Sequence, residues 1–192
     1  MVVPPGQEHR RVRNWEELYS GLREGRFHGI IFLVAYGYHS LGQIRWKEHT
    51  LSKTLKRKKP GAFMKAYLER QRDEELNVLR EILPHIKACK TKLWLMTIVG
   101  KEDLWYGDRA NVLGSYQTGA YGTLIRELEQ AKGCNAFKHE LVPASLIINN
   151  FTSSVGETLA LNQAGYDRVL QVNSLRRLVQ VFDSFRRWEQ GE

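Results

Sequence analysis

The residues of this 192-residue chain that could do chemistry fall just after its apolar runs. Pro5-Gly6-Gln7 follows Met1-Val2-Val3, and Gly37-Tyr38-His39-Ser40-Leu41-Gly42-Gln43 follows the run from Gly29 to Tyr36. Gly100-Lys101-Glu102-Asp103 follows Lys92 to Val99, and Ser145 and the polar stretch Asn149 to Ser154 mark the end of a run from Leu141 to Ile148. Ligand chemistry in an open parallel sheet sits at the carboxyl ends of its strands, which makes these positions the ones to search. Glycine there lets backbone approach a ligand closely. It also serves structure alone: Gly6 after two prolines is an ordinary turn signal, and Gly100 can end a strand before a helix cap.

Other reactive residues form weaker constellations. His39 and His49 flank a basic segment without spaced acids or cysteines, the setting of hydrogen-bonding residues rather than of metal ligands. Cys89 and Cys134 are far apart and show neither a disulfide framework nor zinc spacing. There is no G-x-S-x-G motif, and the five tryptophans are too scattered to form a base-stacking platform.

The apolar runs are continuous rather than alternating, as in strands covered on both faces by helices. Helical spacing appears between them. Trp15 to Arg26 aligns Trp15, Leu18, Tyr19 and Leu22; Phe63 to Ile86 aligns Met64, Tyr67, Leu68, Leu76, Leu79, Leu83 and Ile86. Gly122 to Ala131 predicts a short helix. Gly165 to Trp188 predicts a long one with Val169, Leu170, Leu175, Leu178, Val179, Phe182 and Phe185 on one stripe. This alternation predicts a single three-layer α/β domain over residues 1–192, with a mostly parallel sheet and helices on both faces.

With 42% hydrophobic and 26% charged residues, the chain is suited to a globular core and excludes disordered, collagenous and coiled-coil classes. No apolar run approaches the roughly 20 residues of a membrane span, and the start lacks a signal-peptide layout, so a cytoplasmic address is expected. The formal charge is +8. It is concentrated between residues 37 and 61, where Arg45, Lys47, Lys53, Lys56, Arg57, Lys58 and Lys59 face the single acid Glu48. Two readings stand for this segment: a solvated loop, and a contact for phosphate or nucleic acid through Arg45 to Lys59.

In order and context, these strand ends resemble the back two-thirds of a P-loop GTPase of the Ras-like, translation-factor type. Val3-Pro4-Pro5-Gly6-Gln7 looks like that family's DxxGQ turn with valine in place of the aspartate. Gly100-Lys101-Glu102-Asp103 is similar to its [NT]KxD motif with a leading glycine, and Val142-Pro143-Ala144-Ser145-Leu146 to its Ser-Ala-type motif. The resemblance implies a guanine-nucleotide site. Asp103 would accept two hydrogen bonds from the N1–H and exocyclic amine of guanine, a pair that adenine cannot supply. Lys101 would lay its stem over the base, Ser145 would complete the base site, the Gly6 amide would reach a terminal phosphate, and Gln7 would orient the attacking water.

The departures from the family are equally specific. No GxxxxGK[ST] phosphate loop exists; Gly37 to Gly42 has the glycine spacing but continues with Gln43 and Ile44. Val3 cannot support magnesium, which only a complete domain would hold, and Gly100 removes an amide side chain that would brace the nucleotide loops. The expected chain is therefore a GTPase-like domain lacking its front third and beginning in mid-strand, with GTP or GDP bound weakly or not at all and no turnover. Its sheet would keep unpaired edges. An alternative is a pseudo-GTPase interaction module that recruits a protein or nucleic acid through that edge and the basic segment.

Overall fold

A computed structural model of the chain describes residues 8–38, 49, 51, 60–145, 151–152, 158–160 and 166–191. The expected first strand at Met1 to Val3, the site candidates Gly6 and Gln7, His39 and the cations from Arg45 to Lys59 lie outside the described residues.

Three parallel strands carry the fold in the order β1-β2-β3: β1 Gly29–Val34, β2 Leu93–Val99 and β3 Phe137–Pro143. Val34 pairs with Val99 and Val99 with Pro143, so all three carboxyl ends finish level. Parallel strands need crossovers, and helices supply them. Helix α1 (Glu8–Arg23) precedes β1, and the long α2 (Pro60–Ala88) returns the chain to β2. A short α3 (Glu102–Trp105), a 3-10 turn (Tyr106–Asp108), α4 (Arg109–Gln117) and α5 (Ala120–Lys132) lead to β3. A two-stranded antiparallel pair, β4 (Phe151–Thr152) and β5 (Thr158–Ala160), comes before α6 (Arg168–Gln190). The architecture is a parallel sheet with helices, compatible with an α/β fold.

Alternate residues of β2 serve two different clusters, as the period of two requires. Leu93, Leu95 and Val99 join the main core with Leu22 of α1, Leu79 and Ile86 of α2, Val112 of α4 and Leu128 of α5. Met96 packs with Val142, Val181 and Phe185, which seats α6 against β2 and β3. Trp94 stacks on Phe185 with ring centroids 4.7 Å apart.

Several expectations are corrected. The third strand starts at Phe137 and ends at Pro143, not from Leu141 to Ile148. Its polar beginning hides it from an apolar scan: Lys138 donates to Ser184 Oγ (2.6 Å), and His139 is hydrogen-bonded to Thr97 (2.9 Å). The stripe expected on the last helix is divided. Leu178 and Phe185 turn inward together with Val181, which the expected stripe does not include, whereas Val169, Val179 and Phe182 are exposed. Residues 102–117, for which the pattern predicts no regular element beyond a helix cap after Gly100, form α3, the 3-10 turn and α4.

Helix α6 reaches β2 and β3 but leaves the same face of β1 open. Ile31 and Leu33, which alternate onto that face, are 51% and 71% exposed. Among the described strands β1 is an outer one.

Candidate functional site

The level carboxyl ends bring three sequence-predicted residues to one edge. Backbone bonds stitch that edge together: Gly100 N–H donates to Val34 O (2.7 Å), Ala144 N–H to Val99 O (3.0 Å) and Glu102 N–H to Ala144 O (3.3 Å). Lys101, Asp103 and Ser145 therefore sit on two adjoining strand ends, 42 residues apart in sequence between Asp103 and Ser145.

Ser145 Oγ donates to Asp103 Oδ1 at 2.5 Å, and both residues are buried, Asp103 to 3% exposure. A hydrogen bond to a carboxylate is a strong one, and here it fixes the plane in which Asp103 accepts. The next carboxylate, Glu102, is used differently: Arg109 Nε binds its Oε1 at 2.9 Å. Trp105 is buried below them and donates its indole N–H to Gly100 O at 2.9 Å, tying α3 back to the strand end.

Lys101 caps α3 in the left-handed region, with φ 57° and ψ 38°. That conformation costs a non-glycine residue on the order of 1 kcal/mol or more, so the surrounding contacts must hold it. One is clear: Lys101 Nζ donates to Tyr38 O at 2.6 Å, joining the end of β2 to the turn after β1. Burial lowers the Lys101 ammonium below its ordinary 10.5, and the nearby Asp103 carboxylate opposes that shift.

The turn after β1 is itself tightly specified. Tyr38 N–H closes it onto Ala35 O (2.9 Å), with Tyr36 at φ 50° and Gly37 at φ 85°. A Cβ on Gly37 would stand 2.6 Å from Leu68 O, so both conformation and space select glycine there. Glu75 of α2 and Tyr116 of α4, which sequence reasoning missed, take up the amides of this turn. Neither position carries a motif; a lone acid within the mostly apolar face of α2 was the available signal.

His49, expected as a hydrogen-bonding residue, accepts from Leu51 N–H through Nδ1 (3.2 Å) and packs edge-on against Phe63 and Tyr67. Cys89 is buried and Cys134 exposed, both free. Among the described residues no group of three His, Cys, Asp or Glu could hold a metal ion, and no helix is long and apolar enough to cross a membrane.

Comparisons with protein-family models, with curated proteins and with solved structures give no match. The fold and edge thus define a parallel-sheet chain with helices that gathers Lys101 and the buried Asp103 and Ser145 at the carboxyl end of its strands.

Proposed function

We propose that Lys101, Asp103 and Ser145 form the base-recognition half of a guanine-nucleotide site in a GTPase-like, three-layer domain. One observation carries this reading: the Ser145–Asp103 hydrogen bond of 2.5 Å across two strand ends, with Lys101 anchored beside it. A carboxylate held in a fixed plane and sheltered from water discriminates strongly between a purine that offers two donors and one that does not. Lys101 starts from the same edge and reaches the Tyr38 carbonyl, so in this reading its methylene stem would supply the apolar face for a planar base.

The phosphate half is not supplied by the described residues. The sequence has no GxxxxGK[ST], and Arg109 is engaged by Glu102. Magnesium does not fit either, since Asp103 and Glu102 are held by Ser145 and Arg109 and no third acid or histidine joins them among the described residues. No hydrolytic step is assigned to this chain. Guanine nucleotide binding is expected in the millimolar range, because most affinity for a nucleotide triphosphate comes from its charged phosphates.

The test is a titration of the chain with GDP and ADP, followed by amide NMR shifts. Selective movement of the Gly100–Asp103 and Ser145 signals by GDP, absent in Asp103→Ala, is expected. Equal movement by both nucleotides, or none with either, removes the reading.

A second reading has its own observation. The exposed Ile31 and Leu33 on β1, an outer strand among those described, suit an interaction module, which would bind a protein there.

A further inference from the structure

The turn that receives Lys101 is held from the opposite side by a buried carboxylate. Three consecutive amides, those of Ala35, Tyr36 and Gly37, are satisfied by side chains from two helices. Glu75 Oε1 accepts from Ala35 N–H (3.1 Å) and from Gly37 N–H (3.0 Å). Tyr116 Oη accepts from Tyr36 N–H (3.0 Å) and donates to Glu75 Oε2 (2.6 Å). Glu75 is 8% exposed and Tyr116 5%. Successive amides around a left-handed residue form a concavity suited to an anion, and here the anion belongs to the chain itself.

We propose that Glu75, braced by Tyr116, is the positioning residue of the candidate base site: it locks the Ala35–Tyr38 turn so that the Tyr38 carbonyl stands where Lys101 requires it. The chain of contacts is continuous. Glu75 fixes the amides of residues 35 and 37, the turn closes through Tyr38 N–H on Ala35 O, and the Tyr38 carbonyl then accepts from Lys101 Nζ at 2.6 Å. Both Tyr36 and Lys101 occupy left-handed conformations, so the two strand ends store local strain that this network over-determines. The ring of Tyr36 is covered by the Arg72 guanidinium, 4.5 Å from its centroid, which closes the turn on its outer side. The Tyr116 hydroxyl stays protonated over the whole working range, since burial, and next the Glu75 carboxylate, raise it above 10. It can therefore serve as a permanent donor to Glu75.

The role in nucleotide binding rests on the proposed base site; the latch between Glu75 and Lys101 does not. The experiment separates them. Amine footprinting of the full chain with an acetylating succinimidyl ester, read by mass spectrometry, reports each lysine. In Glu75→Leu, Lys101 labelling is expected to rise about tenfold, the factor carried by losing one charge-assisted hydrogen bond. Lys132, whose Nζ donates to Cys89 O (2.6 Å), and Lys138, bound to Ser184 (2.6 Å), are the internal controls and should not change. Glu75→Gln keeps an acceptor for both amides and should restore slow labelling, and Tyr116→Phe should fall between. If Glu75→Leu raises all three lysines together it has lost its fold, and Tyr116→Phe decides. Unchanged Lys101 labelling in a folded variant, or a joint rise of all three in both variants, overturns the latch. For the nucleotide role, GDP-induced shifts in Glu75→Leu should weaken as in Lys101→Ala, with no further loss in the double variant. Full additivity refutes that role. Absence of GDP binding to the unaltered chain refutes the base site and leaves the latch to stand or fall on the labelling rates.

Discussion

Acidification should destabilise this protein through one histidine. His139 lies in the middle of β3 with Nε2 2.9 Å from Thr97 Oγ1, and Thr97 is in turn 2.8 Å from the Tyr121 hydroxyl. Burial lowers the imidazole from 6.5 to about 4. The sign follows from linkage: between these two values the unfolded chain takes up a proton that the folded chain refuses, so stability falls as pH falls. The contribution is complete above pH 6.5 and is gone by about pH 4. At ~1.4 kcal/mol for each unit of difference, the gap amounts to roughly 3.5 kcal/mol, and partial solvent access of the ring reduces the expected loss to about 2 kcal/mol. Burial lowers His49 and His85 as well, in the same direction, so the unaltered protein alone does not isolate the effect. His139→Gln does, because the other two histidines and all carboxylates remain. Urea midpoints followed by tryptophan fluorescence at pH 7.5, 6.5, 5.5 and 4.5 would give both stability curves. The unaltered chain should lose about 2 kcal/mol more than the variant from the highest to the lowest pH. Parallel curves would refute the assignment of that loss to His139.

Two substitutions test the packing. Phe185→Ala removes a ring that is 1% exposed and stacked on Trp94, and should cost about 3–5 kcal/mol in urea unfolding. Gly37→Ala places a methyl 2.6 Å from Leu68 O at φ 85°, and should lower stability by at least ~1 kcal/mol while raising Lys101 labelling, since the same turn is disturbed.

The parts legible in sequence were those whose burial is apolar and periodic. The runs at Gly29 and Lys92 and the helices from Phe63 and Gly122 stand within a few residues of their observed bounds. Polar partners erased the signal elsewhere. Lys138, His139 and Glu140 make β3 read as a loop, although Ser184 and Thr97 satisfy the first two inside the fold. The last helix misled in the opposite direction, because Val169 and Val179 lengthen its apolar stripe while remaining in solvent. At the site, Lys101, Asp103 and Ser145 could be picked by their places after strands, but their juxtaposition required the parallel register of β2 with β3. Glu75 left only the weak trace of a lone acid on the mostly apolar face of α2, and Tyr116 left none. Their partners are backbone amides of residues 35–37, and a backbone partner leaves no trace in residue type.

The two halves of the β2 edge differ in a way that bears on function. Toward β3, the edge is closed by a side-chain bond that orients a carboxylate, Ser145 to Asp103. Toward β1, it is closed by a lysine reaching a carbonyl whose position depends on a third element, α2. The first arrangement is rigid by proximity, because both residues sit on adjoining strand ends. The second depends, in the proposed latch, on Glu75 and Tyr116 holding the turn from two helices, so a perturbation of this edge is expected to act first at the β1 turn. Ile31 and Leu33 lie just before that turn on the uncovered face of β1. A protein docked over them would bear directly on Val34 to Tyr38, and through Tyr38 on Lys101. Binding at β1 and ligand occupancy at Asp103 should therefore be coupled, and any coupling must be reciprocal. Replacing Leu33 with serine offers the sharpest separation of the two: it alters the docking face without touching the hydrogen bonds of the turn, so it should leave Lys101 labelling as it is and change only association at β1. A rise in Lys101 labelling in that variant would show that the strand, not Glu75, holds the turn.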